Sequence, residues 1–355
     1  MAANYTILAD GEVLYIANAK DRIVLDPKLS IRENQTDSLT FKVPKTNALY
    51  GELYKLSTTI EVRRNDDDIL FRGRVVDSTT DFDGTADITC EGALAFLGDT
   101  IKERYLEGTY TTAKSLFQAA MNEHAAQVPS STSLRKITYL DCDVTTSGAF
   151  ENKEVSQTSE VLSSLLSDVG GYVQLSYTDA ATYISYLANP STMDSQNIRF
   201  SENLLDLTIT EDGSGVFTSV LPSGAVINQD TGERLRLGTG DAAYLENADA
   251  IAAFGRIIRP VTFDDAEDVN TLRAFATFYL ASGIQLATTV TANAIDLSII
   301  NVNVDRLHIG NLVMLDTWPH NLSAYMRCSE MDIDLVNPEN STYVFGVTIK
   351  GLTDM

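Results

Sequence analysis

The chain is poor in the residues that most often carry reactive chemistry. Its 355 residues include three cysteines and three histidines. Cys90, Cys142 and Cys328 are odd in number and widely spaced, with no CxxC. A disulfide framework or thiolate zinc site is therefore not expected. His124, His308 and His320 form no HExxH pair, so no zincin-type centre is encoded. No stretch approaches the ~18 apolar residues of a membrane span, and no membrane insertion by this chain is expected. Basic residues are also scarce: 26 Lys+Arg stand against 49 Asp+Glu, a net charge of −23. So few cations gain little from counterion release, which argues against specific nucleic-acid binding. The amino-terminal MAANYTILADGE has neither the basic region nor the apolar run of a signal peptide, so synthesis in the cytoplasm is expected.

What is present is ordinary globular material. Hydrophobic residues make up 44% and charged residues 21%. The length predicts two or three compact units. The acids are spread along the chain without a long block, the pattern of an acidic solvated surface.

The first hundred residues alternate with a period of two. In DSLTFKVP, Leu39, Phe41 and Val43 face one side between polar neighbours. TTIEVRRNDDDILFRGRVV predicts a hairpin with an acidic turn at Asn65-Asp66-Asp67-Asp68. TADITCEG predicts a further strand, and ALAFLGDT a short turn of helix. The period then changes. Ala113, Leu116, Phe117, Ala120, Met121 and Val128 fall at helical spacing. Residues 129–157 are polar and predict a long loop or a small strand excursion. TSEVLSSLLSDVGG predicts a second helix closed by Gly170-Gly171. YVQLSYTDAATYISYL predicts a hairpin with a four-residue polar turn. Beyond Ile198 come two strands, a helix around Ala248–Phe254 closed by Gly255, and a helix capped near Asp268 and stopped by Gly283. β-Strands follow to the end. No repeat of 20–50 residues occurs. The order points to an α+β fold and away from a parallel βαβ sheet.

Each candidate for chemistry has a plainer explanation. Cys90 shares strand parity with Ile88, as a buried thiol would. His124 continues the apolar face of its helix three residues after Met121, as a satisfied core histidine would. His320 lies in a Pro-containing turn. Asp66-Asp67-Asp68 lacks the spacing, glycine and closing glutamate of an EF-hand, and Asp141-Cys142-Asp143 is no stronger. Gly213-Ser214-Gly215 and Gly238-Thr239-Gly240 lack the GxGxxG continuation and the Walker lysine. The Asn-x-Ser/Thr matches at Asn4, Asn34, Asn321 and Asn340 matter only in a glycosylating secretory pathway. No catalytic, cofactor-binding or metal residue is nominated, and no cofactor is expected.

A string of motifs resembles one family. ENQTDSLTFKVPKTNALYGELYKLSTTIEVRRNDDDILFRGRV, followed by ITCEGALAFLGDT, is similar to the amino-terminal signature of phage tail hub proteins, also called tail-associated or prophage tail endopeptidase-type proteins. The positions that carry it include Phe41, Val43, Pro44, Phe71, Gly73, Arg74, Cys90, Glu91, Gly92, Leu94 and Asp99. SEVLSSLLSDVGGYVQLSY, NIRFSENLLDLTIT, ADAIAAFGRIIR and AIDLSIINVNVDRLHIGNLVML extend the resemblance over nearly the whole chain. It implies two small tube-like β-barrel domains plus inserted helical and α+β domains. The first barrel would take residues 1–98. The α+β domain would take 99–200, with 241–283 as its helical part. The second barrel would take 201–240 and 284–355. In such hubs three copies form a ring beneath the sixfold tail tube. Implied partners are further copies of the chain, a tail tube or distal tail protein above, a spike or fibre below, and a tape measure protein in the channel. The location would be the baseplate of a virion tail or tail-like particle, assembled in the bacterial host cytoplasm. Many relatives carry a lytic or carbohydrate-binding extension, whereas this sequence stops at Met355 just after the last barrel strand. The expectation is a non-enzymatic hub, with a separate spike protein, as in contractile tails and phage-tail-like bacteriocins. The rivals are a tail-associated peptidoglycan hydrolase and a receptor-binding module. CEGALAFLGDT would be the corner leaving the first barrel, with Cys90 buried, Gly92 permitting a tight approach, and Leu94, Phe96 and Leu97 closing the barrel end.

Overall fold

The computed structural model describes residues 5–65, 68–264, 266–283, 287–301 and 303–346. It is mostly β with a few helices, and its residues cluster into two compact units. One takes Met1–Thr208 with Val290–Gly346, and the other is built on Ile209–Thr289.

The first unit begins with β1 (Tyr5–Ala9), β2 (Glu12–Ile16), β3 (Leu25–Arg32), β4 (Ser38–Val43), β5 (Thr59–Arg64), β6 (Asp68–Thr80) and β7 (Ala86–Gly92). Period-two burial sets their faces: in β4, Leu39, Phe41 and Val43 are buried while Thr40 and Lys42 are exposed. β5 and β6 form the expected hairpin, with Arg64 opposite Asp68. Asn65 takes a left-handed φ of 52° at its turn, a conformation asparagine tolerates better than most residues. Asp66 and Asp67 lie outside the described residues. β6 departs from alternation: Ile69 to Gly73 are all buried, because both of its faces are covered. Gly73 is required there, since a Cβ would fall 2.1 Å from the Glu91 carbonyl oxygen.

The chain continues through β8 (Ile101–Lys102), β9 (Tyr105–Thr112), α1 (Ala113–Gln127), β10 (Ile137–Cys142), β11 (Ser147–Asn152), β12 (Ser156–Gln157), α2 (Thr158–Asp168), β13 (Tyr172–Thr178) and β14 (Ala181–Leu187). α1 starts in a capping box between Thr112 and Ser115 and buries Ala113, Leu116, Phe117, Ala120, Met121 and His124. α2 starts in a second box between Gln157 and Glu160. Gly170 and Gly171 follow it at φ 78° and 94°. β14 lies between β10, parallel, and β13, antiparallel. The β13–β14 turn differs from expectation. Thr178 pairs with Ala181, so only Asp179 and Ala180 form the loop. The polar stretch after α1 is also more ordered than its composition predicts, because β11 pairs with β9.

The ALAFLGD segment is a 3₁₀ helix, Ala93–Asp99. Phe96 and Leu97 do not close the first β layer. They join the second hydrophobic core with Leu116, Phe117 and Leu162, and Leu94 packs against it.

Next come β15 (Ile198–Arg199) and β16 (Leu204–Asp212), and then the second unit: β17 (Ser219–Ser223), β18 (Val226–Asn228), β19 (Glu233–Arg234), β20 (Leu245–Glu246), α3 (Ala248–Phe254), β21 (Ile258–Thr262) and α4 (Val269–Gly283). Asn247 caps α3, which ends at Gly255 with φ 82°. The Asp268 carboxylate caps α4 by accepting from the amides of Asn270 at 2.8 Å and Thr271 at 3.1 Å. Phe217, Val220, Ala276 and Leu280 form one hydrophobic cluster of this unit, and Leu237, Ala266 and Leu272 form another.

β22 (Ala287–Ala294), β23 (Leu312–Thr317), β24 (Leu322–Asp334) and β25 (Thr342–Gly346) complete the described elements. The principal sheet runs β16-β22-β25-β24-β3-β4-β7-β6-β5-β1-β2, with β23 and β15 branching from β24. The antiparallel ladder of β3 on β24, from Arg32 opposite Glu330 to Lys28 opposite Asp334, joins the amino-terminal and carboxy-terminal strands into one sheet. One hydrophobic core lines it, from Ile7 and Leu29 to Leu315 and Phe345.

Candidate functional site

The reactive residue types are accounted for structurally. Cys90 is fully buried on β7, opposite Leu39 and Val75. Burial, and then the neighbouring Glu91 charge, hold its thiol protonated well above the usual range. Burial pushes Cys142 and Cys328 up likewise. Thiols held protonated are poor nucleophiles and poor metal ligands. His124 has no exposed surface. Its Nε2 accepts the Ile137 amide at 3.0 Å, so Nδ1 carries the proton and donates to Thr100 Oγ1 at 2.8 Å. Burial lowers its pKa to about 4, so it is a neutral bracket between α1 and β10. His308 Nδ1 lies 2.9 Å from Asp194 Oδ1, and His320 Nδ1 lies 3.0 Å from Thr317 Oγ1. The Asp141 and Asp143 carboxylates accept from the amides of Cys142 and Ala188. Asp212 caps the Gly213–Gly215 turn through Ser214. Among the described residues no group of three or more His, Cys, Asp or Glu is placed to hold a metal ion. No described helix is long and apolar enough to cross a membrane.

The polar feature of greatest consequence is a joint. The β13–β14 hairpin lies over β6, and Arg72 is buried beneath it with no exposed surface. Its guanidinium donates to Glu61 Oε1 at 2.7 Å, Thr182 Oγ1 at 3.0 Å and the Thr178 carbonyl at 2.8 Å. It also lies over the Tyr177 ring, 5.7 Å from its centre. Asn34, after β3, makes the second fixture. Its amide donates to the Gly171 carbonyl at 3.0 Å, and its Oδ1 accepts the Val173 amide at 2.8 Å. Arg327 of β24 makes the third. It bonds the carbonyls of Gly310 and Pro190 at 2.8 Å each and lies 4.2 Å from the Tyr172 ring centre.

Beside this joint opens a cleft of about 390 Å³, between the β3–β4 turn, β13 and residues 306–311. Two acids in it are perturbed. Burial raises Glu33 to about 7, against the opposing pull of Arg327. Burial also raises Asp37 to about 7, opposed only by the Arg32 amide at 3.4 Å. Asp37 is partly exposed as a residue. The Tyr177 hydroxyl is buried without a hydrogen-bond partner, and burial and then the Asp37 charge push it upward. Close packing shapes this corner, since a Cβ on Gly92 would lie 2.9 Å from the Asp37 Cβ. Sequence reasoning did not find Glu33 or Asp37. In ENQTD they look like ordinary turn acids, and segments distant in sequence, β13 and residues 306–311 among them, wall the cleft that holds them.

A mostly β chain whose two ends share one sheet, with an α+β insertion pinned across it, is an architecture that known tail proteins share. The prophage tail protein gp18 of Listeria monocytogenes EGD-e is 14% identical, with a TM-score of 0.57 over 99% of this chain and 96% of that one. The 43 kDa tail protein of prophage MuSo2 from Shewanella oneidensis is 12% identical, with a TM-score of 0.61 over 97% and 98%. The tail protein from Neisseria meningitidis MC58 is 12% identical, with a TM-score of 0.62 over 97% of both. Residues 192–355 match the family described as prophage endopeptidase tail. The carboxy-terminal part of the chain thus resembles that family, and the whole chain shares the fold of these tail proteins. None of the curated proteins matches it.

Proposed function

We propose that this chain is a phage tail protein and the baseplate hub subunit of a phage tail or tail-like particle. Three copies close a ring that joins the sixfold tail tube to a central spike or fibre and surrounds the channel. The observation that carries this reading is the β3–β24 ladder. It fuses an amino-terminal and a carboxy-terminal β region into one platform, so that three chains present six β regions to a sixfold tube. In this reading residues 1–98 supply one tube-like domain and 201–240 with 284–355 the other. Residues 99–200 and 241–283 form the lower or outer parts. The net charge of −23 favours the role, because an acidic channel wall repels DNA and lets it or a tape protein pass. The expected partners are a tube or distal tail protein above and a spike or fibre below. Light scattering across a concentration series tests the ring: a trimer supports it, and a stable dimer contradicts it.

The family description contains the word endopeptidase, which keeps a tail-associated peptidoglycan hydrolase as the second reading. We favour a non-enzymatic role, supported by the buried, protonated thiols and the neutral, fully bonded His124. Zymography on purified peptidoglycan separates the two. A cleared band from the full chain would establish the hydrolase.

A further inference from the structure

The cleft beside the hairpin joint holds hydrogen-bond acceptors that the fold does not satisfy. The Asp37 carboxyl receives one long bond, from the Arg32 amide at 3.4 Å. Glu33 Oε1 has no hydrogen-bond partner, although Arg327 Nη1 lies 3.6 Å away as an ion pair. The Tyr177 hydroxyl has no partner either. Leaving a buried acceptor without a donor is costly, and two such acceptors lining one cleft with Asp37 point to a donor supplied from outside.

The cations around the cleft are already engaged. Arg32 holds Glu330 at 2.6 Å and Asp332 at 3.2 Å. Arg306 holds Asp68 at 3.2 Å, and Asp68 also holds Arg64 at 2.9 Å. Arg72 holds Glu61, and Arg327 holds the Gly310 and Pro190 carbonyls. The His308 ring nitrogen Nδ1 lies 2.9 Å from Asp194 Oδ1. Asp37 is thus the cleft acid with no basic side chain against it. The missing group carries positive charge and several donors. Leu94, Leu175 and Ile309 supply apolar wall for an aliphatic stem.

We propose that this cleft binds a primary alkylammonium group, with Asp37 as its counter-ion and Glu33 Oε1 and the Tyr177 hydroxyl as hydrogen-bond acceptors. An ammonium carries a positive charge and three N–H donors, the groups that these acceptors lack. The group comes either from a lysine side chain of another tail component or from a free polyamine. Binding draws Asp37 into its ionised form, so protons are released and affinity rises between pH 6 and pH 8. The proposal does not depend on the hub reading.

The test is isothermal titration calorimetry on the full chain at low salt. The probes are n-butylammonium chloride, Nα-acetyl-lysine methylamide and spermidine, with n-butanol as the uncharged control. The expected result is saturable binding of n-butylammonium at pH 8, at least tenfold weaker at pH 6, with no binding of n-butanol. Asp37→Asn weakens binding at least tenfold. Tyr177→Phe, which changes one hydroxyl, weakens it several-fold and serves if Asp37→Asn fails to fold. Spermidine binding far more tightly than the lysine amide assigns the site to free polyamine. Comparable or weaker spermidine binding assigns it to a partner lysine. No saturable binding by any probe, or wild-type affinity in both variants, overturns the proposal.

Discussion

Replacing Arg72 with methionine tests the joint directly. Methionine keeps much of the stem's volume and removes the guanidinium. The change leaves Thr178 O and Thr182 Oγ1 without their donor and takes one of two arginines from Glu61. Arg63 remains 2.7 Å from Glu61 Oε2, so that carboxylate keeps a cation. Breaking a buried ion pair from one side costs about 3–5 kcal/mol. The retained Arg63 puts this case at the lower end, about 3 kcal/mol. The chain has two units, so a single unfolding free energy is the wrong readout. Hydrogen exchange in peptides spanning 172–187 reads the joint locally. A loss of about 3 kcal/mol speeds exchange there roughly 100-fold through local opening. Peptides from α4 should not change. Thr182→Val alone should have a smaller effect, and in the double variant the two losses should fall short of their sum by about 1 kcal/mol, because they share one bond. Protection of 172–187 unchanged within threefold in Arg72→Met would refute the claim that this arginine holds the hairpin.

Further outcomes follow from the same geometry. Asp37 titrates higher in the fold than in the unfolded chain, so the folded state binds its proton more tightly, and stability falls as pH rises from about 4 through 7. Asp37→Asn should therefore stabilise the first unit at pH 8, by about 1–3 kcal/mol after allowance for partial exposure, as read by thermal unfolding. His124 acts in the opposite sense. It is a base lowered to about 4, so the unfolded chain takes up its proton first and stability falls as pH drops from about 6.5 to 4. His124→Asn should flatten that limb at some cost in stability at pH 7. Gly92→Ala should cost about 1–3 kcal/mol, because its methyl meets Asp37. All three thiols should resist a thiol-specific chromogenic reagent in the native state and react on unfolding.

The helices were legible because their signals are local. Asp268 and Gly255 are end signals read from sequence, whereas the caps at Thr112 and Asn247 emerged only with the structure. The β4 alternation and the β5–β6 hairpin were legible for the same reason. The joint was not. Arg72 looks like an ordinary strand arginine in FRGR, and nothing local says that residues 178 and 182 will cover it. The β3–β24 ladder pairs strands about 300 positions apart, beyond any local periodicity. The β11–β9 pairing was hidden because its register is irregular. The titratable residues of the cleft were hidden for a further reason. Burial, not residue type, perturbs Glu33 and Asp37, and the segments that wall the cleft include β13 and residues 306–311, far away in sequence.

The most direct test of the hub assignment is the number of copies of this chain per assembled particle. Quantitative mass spectrometry against isotope-labelled peptides, on purified tails, gives that number relative to the tube protein. The account predicts three copies per tail, independent of tail length. Six copies, or a number that scales with the tube protein, would place the chain elsewhere in the particle and contradict the hub.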